Sequence, residues 1–304
     1  MAYSGKHFVC PPNPQLKPTR QTTVRGLAAL VRSAQNHHMS PQRLRQQLLG
    51  LLAAFTLPHT TLAVDLRYGP LNPDEPTGTP AVILSGEIKK GDYENLLRFA
   101  RKDPHRFHAS TVVLASSGGN LLEAMRIGTF LRRTYQNAFV SDKIGKCASA
   151  CFLIYVAAVE RGALVPSVGI HRPYFPSSEF DGMSLEEAQT KHRWLMDTIR
   201  QYLEEQDVPR YLIERMFSLA STEIYWLNRR DLDAIGRRAN WWDQVLVNRC
   251  KLDKQLEQKY LRYGETLPQA REAEKHIHDV AVCAYEISAE ERKRNLSNLL
   301  STKP

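Results

Sequence analysis

The sequence predicts an α/β fold, parallel strands joined by crossover helices, with a helical extension at the C-terminal end. Three observations carry that expectation. From Ala81 to Ile170, short apolar runs alternate with segments of helical spacing, the pattern of strand, helix and returning strand. The stretch from 81 to 243 is long enough to bury one proper core. Beyond it the chain turns to charged helical segments such as Glu272-Ala-Glu-Lys-His, which read as solvated faces around a modest core.

Residues 1–38 hold Pro11, Pro12, Pro14 and Pro18 among scattered polar residues and do not read as a packed core. Met39-Ser-Pro-Gln-Arg-Leu-Arg then gives a basic n-region, Leu48 to Leu57 an apolar h-region, and Thr61-Leu62-Ala63 a small-residue cleavage site. Together 39–63 read as a secretory signal. Starting at Met39 would place that signal at the N-terminus, so 1–38 is a mis-called start or a disordered extension. The h-region is shorter than the roughly 20 apolar residues of a bilayer span. A periplasmic or secreted destination is therefore expected, with an uncleaved inner-membrane anchor as the alternative.

The formal charge of +9 belongs mainly to this leader. Residues 1–63 contain Lys6, Lys17, Arg20, Arg25, Arg32, Arg43 and Arg45 and no acid. Removing those seven from 41 basic residues leaves 34 against 32 acidic ones. No nucleic-acid partner is implied.

Residues 64–80, with Pro70, Pro73, Pro76, Gly78 and Pro80, read as an extended linker. Val82 to Leu84 then reads as a strand, Asp92 to Lys102 as a helix, Thr111 to Leu114 as a strand and Leu121 to Tyr135 as a helix. Ala138 to Val140 is a short strand, Ala148 to Val159 a buried helix, and Leu164 to Ile170 a strand ending at His171. Ser184-Leu-Glu-Glu187 is a capping box that opens an amphipathic helix to Gln206.

Three segments hold the parts an acyl-transfer site needs, although singly they also read as a turn, a helix cap and a packed or solvated histidine. Gly118 and Gly119 follow a strand, where a backbone without Cβ atoms can turn N–H groups toward a developing oxyanion. Ser149 stands between Ala148 and Ala150 near a helix N-terminus, whose free amides favour negative charge. His171 follows an apolar run and precedes Arg172-Pro173, the mouth of a strand, where a general base is well held.

In this order the set resembles the Clp-type proteolytic subunits of the ClpP/crotonase superfamily, over residues 81–243. Val82-Ile-Leu-Ser-Gly-Glu-Ile88 is similar to the family's first strand and turn. Ser116-Ser-Gly-Gly-Asn120 matches its glycine loop, with Ser117 where Pro is usual. Ala148-Ser149-Ala150 matches the nucleophile segment, and Ile170-His-Arg-Pro173 the His-x-Pro segment. More narrowly, Cys147-Ala-Ser-Ala-Cys151 with His-Arg-Pro resembles a secreted, periplasmic ClpP-like branch. The resemblance implies a ββα spiral of parallel strands and a serine peptidase. Ser149 would be its nucleophile, His171 its base, and Gly118, Gly119 and Ala150 its oxyanion hole. It also implies peptide or other acyl substrates, and homo-oligomers formed through the helix after Ser184. That helix packed on its own domain is the other reading.

The family's acid falls near Ser221-Thr-Glu-Ile-Tyr225. Gapless matching on Gly236 puts Ile224 at its position. Glu223, one residue away, is the nominated orienting acid; alternatively it is a surface carboxylate beside a Ser–His dyad.

Four cysteines follow the leader, an even number suited to an oxidising compartment. Cys250 and Cys283 can staple two helices of the 244–304 extension. Cys147 and Cys151 either bridge, distorting the first helical turn, or stay as two small buried residues. No further Cys or His lies near that pair in sequence, and neither metal nor cofactor is expected. There is no Walker motif, hence no sign of an ATPase partner. Two other functions stay open: a ClpP-fold binding protein without activity, and a crotonase-like enzyme of acyl thioesters.

Overall fold

The strands form two sheets, and one helix, buried along its whole length, packs against strands of both. The computed structural model describes residues 63–75, 78–220, 222–266 and 268–301. The expected extension at 1–38 and most of the expected signal at 39–63 lie outside them. No helix of the described residues is long and apolar enough to cross a membrane.

The described strands are β1 (Asp65–Pro70), β2 (Pro80–Ile88), β3 (Thr111–Gly119), β4 (Ala138–Val140), β5 (Cys147–Ala148), β6 (Arg161–Ala163), β7 (Val168–Ile170) and β8 (Tyr225–Trp226). The larger sheet runs β1, β2, β3, β4, β6, with β1 antiparallel to β2 and the other neighbours parallel. The smaller runs β5, β7, β8; β5 and β7 are parallel, and β8 is antiparallel to β7. The helices are α1 (Asp92–Lys102), α2 (Pro104–Ala109), α3 (Leu121–Arg133), α4 (Ala150–Ala157), α5 (Leu185–Glu205), α6 (Arg210–Ser218), α7 (Arg229–Ile235), α8 (Asn240–Cys250), α9 (Lys254–Tyr263) and α10 (Ala270–Ser301). This is the expected α/β architecture with a helical C-terminal region.

Local chemistry accounts for the elements. Asp92 and Glu94 open α1 and Arg101 and Lys102 close it, each sign at the helix end whose partial charge it complements. Asn120 caps α3 by accepting from the Glu123 amide at 2.9 Å. At α5 both bonds of the Ser184/Glu187 capping box are made. Leu195, Ile199, Tyr202 and Leu203 of α5 are buried on their own domain, while Leu185 and Trp194 stay exposed. The Tyr202 hydroxyl donates to the Leu153 carbonyl at 3.1 Å through a gap at Gly128, where a Cβ would come within 2.2 Å of the hydroxyl oxygen.

Four expectations change. Residues 64–80 are not all linker, because β1 is an edge strand whose Tyr68 packs on Phe99, ring centroids 4.7 Å apart. Pro70 closes β1 opposite Pro80, the first residue of β2, and strand ends and edges tolerate a missing N–H. The run 164–170 is not one strand. Only its last three residues, β7, are strand; 164–167 carry the chain from β6 in the larger sheet to β7 in the smaller, through Pro166, which has no N–H for a ladder. The buried helix is shorter than Ala148–Val159, because the smaller sheet takes Ala148. The boundary at 243/244 falls inside α8, whose Trp242 and Leu246 share a core cluster with Val280 and Ile287 of α10. A disulfide joins Cys250 to Cys283 across the same two helices.

Arg161 ties the α4 region to the segment after α7. It is 4% exposed, donates to Val156 O at the end of α4, and donates to the carbonyls of Ile235 (2.9 Å), Gly236 (3.0 Å) and Arg238 (3.3 Å). Burial draws its pKa down, yet arginine remains protonated in proteins. Further along, Arg238 grips Asp243 at 2.6 Å and both oxygens of Glu257 at 2.8 and 2.5 Å, and Lys254 lies 2.7 Å from Asp243. Burial alone would raise the Asp243 pKa, but hydrogen bonds from Lys254 and Arg238 outweigh it and hold the carboxyl below its ordinary value. A carboxyl so depressed adds stability above its unfolded pKa, and that stability is lost as pH falls through the folded one.

Two outcomes follow for denaturant unfolding. Arg161→Met leaves several buried carbonyls without a donor and costs about 3 kcal/mol. Asp243→Asn costs about 1 kcal/mol at neutral pH. The gap between that variant and the parent narrows as pH falls through the depressed carboxyl pKa and is gone once the carboxyl is protonated in both states, whereas a pH-independent gap would show that the carboxylate's charge is not what matters.

Candidate active site

The site lies where three strands end, one from the larger sheet and two from the smaller. Gly118 and Gly119 finish β3, Ser149 follows β5 and His171 follows β7. β5 and β7 are adjacent and in register, Cys147 with Val168 and Ala148 with Gly169, so the residues after them emerge at one edge. The Ser149 amide donates to the Gly169 carbonyl at 3.0 Å and holds that register to the last residue.

Ser149 forms the bend between β5 and α4. Its backbone has φ 58° and ψ −125°, a region that L-residues rarely occupy. Its side chain makes no capping hydrogen bond, unlike the Ser184, Asn120 and Asn228 caps. Such a turn lifts a hydroxyl out of a strand-to-helix corner instead of folding it back on the helix. Behind it, all eight residues of α4 are buried. The helix directs its positive dipole end at Ser149, and Ala150, the first helical residue, carries an amide with no intrahelical acceptor.

Gly118 is pressed against this turn. With φ +107°, it has room for no side chain, since a Cβ would lie 2.5 Å from the Ser149 Cβ and 2.9 Å from its Oγ. Gly119, with φ +134°, is closed on its other side by the Ile88 carbonyl, 2.1 Å from where a Cβ would stand. The Gly118 amide donates to the buried Ser116 hydroxyl at 3.1 Å, which commits one of the expected oxyanion donors to the loop itself.

A cleft of about 260 Å³ is lined by Glu87, Ser117, Gly118, Gly119, Leu121, Ser149, His171 and Tyr174. His171 is half-buried, and its Nδ1 lies 2.7 Å from the Arg172 carbonyl. A carbonyl only accepts, so this contact assigns the proton to Nδ1 and leaves Nε2 as the lone-pair nitrogen. A larger groove of about 710 Å³ lies elsewhere, between α1, α3 and α5, and contains none of these residues.

Glu223 is not brought to the imidazole. It is exposed, does not line the cleft, and no hydrogen bond joins it to His171. The strand register explains why. Gly169 pairs with Trp226 and Ile170 with Tyr225, so continuing by one residue sets Ile224 opposite His171. Asp231 serves another purpose, accepting from the hydroxyls of Tyr211 (3.0 Å) and Tyr225 (2.8 Å) and thereby anchoring β8 to α7. Those bonds raise the Tyr225 pKa above its ordinary value.

Cys147 and Cys151 are bonded to each other, with Cα atoms 5.3 Å apart. The expected conflict with the first helical turn does not arise, because Cys147 belongs to β5 and only Cys151 to α4. The sequence reading missed Glu87, Tyr174 and the orienting Arg172 carbonyl. Glu87 was legible only as the residue after Gly86, where β2 slips register against β3. No group of three His, Cys, Asp or Glu among the described residues is placed to hold a metal ion.

A scan against protein-family models finds no match, and a search of curated proteins finds none. Among solved structures the chain is similar to a mutant ClpP1 from Listeria monocytogenes, at 18% identity and a TM-score of 0.35, over 51% of this chain and 86% of that one. It is also similar to a mutant of the 1510-N membrane-bound stomatin-specific protease, at 15% identity and a TM-score of 0.33, over 47% of this chain and 70% of that one.

Proposed function

We propose that the protein is a serine hydrolase that cleaves peptides, with Ser149 as nucleophile and His171 as general base. The observation that carries this reading is the Ser149 turn, a strained serine with an uncapped side chain that shares a cleft with an imidazole protonated on Nδ1. Nε2 of His171 takes the hydroxyl proton as Oγ forms a bond to the acyl carbon. The amides of Gly119 and Ala150 receive the charge on the former carbonyl oxygen. Collapse breaks the acyl–nitrogen bond, His171 returns the proton to the leaving amine, and water then hydrolyses the acyl-enzyme by the same route.

In this reading the Arg172 carbonyl does the orienting that a carboxylate does in a triad, and the site is a dyad. The want of a carboxylate on His171 favours a second reading, a binding protein that keeps the fold without catalysis. We place the protein outside the cytoplasm, periplasmic or secreted, because all four cysteines of the described residues are bridged. The exposed Leu185 and Trp194 on α5 support assembly with further copies.

A fluorophosphonate probe separates the two readings. The parent chain labels at Ser149, Ser149→Ala abolishes that labelling, and His171→Ala slows it by about a hundredfold or more. An intact fold that never labels leaves the binding protein standing. Glu223→Gln labels within about twofold of the parent, since a carboxylate outside the site contributes little; a loss of about a thousandfold or more would restore Glu223 as the acid.

A further inference from the structure

Backbone in the conformation of Ser149 persists only where its surroundings over-determine it. On the strand side β5 supplies only two ladder pairs, with amide bonds from Cys147 to the Ser167 carbonyl at 2.9 Å and from Ser149 to the Gly169 carbonyl at 3.0 Å. On the helix side there is no side-chain cap. What spans the turn from one side to the other is the Cys147–Cys151 disulfide, which leaves the strand two residues before Ser149 and enters the helix two residues after it.

The geometry points to Cys147 and Cys151 as positioning residues, their disulfide closing a small ring that holds Ser149 in its strained turn and its hydroxyl in the cleft. This rests on the reading of Ser149 as nucleophile. Chain entropy argues against a purely stabilising purpose. The benefit of a cross-link grows with the length of chain it closes, and this one spans a sequence separation of 4, against 33 for Cys250–Cys283. Both cysteines are fully buried, so the ring is a fixture of the folded state and not an exposed thiol pair. Without the bridge, the last residue of β5 and the first turn of α4 are free to relax toward an ordinary cap, in which the serine hydroxyl turns back onto the helix amides. The cleft would then keep its walls and lose its nucleophile.

The test compares full-length parent, the Cys147→Ala/Cys151→Ala double variant and a Cys250→Ala/Cys283→Ala control. The elbow variant should show a maximal fluorophosphonate labelling rate lower by about tenfold to a hundredfold, with an unchanged half-saturating probe concentration. The control should label at the parental rate. A folded elbow variant that labels as fast as the parent overturns the proposal, and so does an equal loss in the control. Thermal melting gives a readout that needs neither labelling nor a foldable elbow variant. In the bridged chain Ser149→Gly should raise the melting temperature by about 3 °C, since glycine adopts positive φ freely. No rise means there is no strain to hold. Where the unbridged chain folds, that gain should vanish with the bridge. If the parent never labels at Ser149, the nucleophile reading falls while the melting series still decides whether the bridge restrains the turn.

Discussion

Burial of α4 is the constraint on which the rest depends. Its eight residues, Ala150 to Ala157, lie entirely inside the protein and pack against strands of both sheets and against α3. A helix without a polar face leaves its terminal amides and carbonyls in apolar surroundings, where each needs a partner. At the C-terminal end Arg161 supplies one to Val156 and carries a positive charge to the negative end of the dipole. At the N-terminal end no side chain does so, and the amide of Ala150 faces the turn that carries Ser149. One end of the helix is thus satisfied by a side chain, and the other turns its partial positive charge toward the Ser149 corner.

The same economy governs the imidazole. A carboxylate would orient His171 and stabilise its protonated form; the Arg172 carbonyl orients it with a dipole instead of a full charge. The register of β8 sets an apolar residue, Ile224, beside Gly169 and next to the end of β7. The Tyr211 and Tyr225 hydroxyls on Asp231 tie β8 to α6 and α7, so that carboxylate serves the strand.

The alternation of elements, the bounds of α1 and β4, and the capping box of α5 were legible because each is set by local periodicity or by a cap. The meeting of Gly118, Ser149 and His171 was legible in a different way, through three short segments in a fixed order. What escaped depended on long-range pairing. β1 carries no strong strand signal of its own and exists because β2 offers it an edge. The split between β6 and β7 turns on which sheet each joins, which no local pattern encodes. Glu223 failed by a single residue of register, the smallest error a strand permits and one that sends a side chain to the opposite face.

The Cys250–Cys283 bond gives the C-terminal helices an independence from the chain between them. α8 and α10 are joined covalently as well as through Trp242, Leu246, Val280 and Ile287. The chain between α9 and α10 therefore bears little of the load of keeping them docked. An insertion there would lengthen the polypeptide, and a protease cut would interrupt it, yet either would leave both helices fastened, so that part of the sequence has unusual freedom to diverge in length without disturbing the core beneath it.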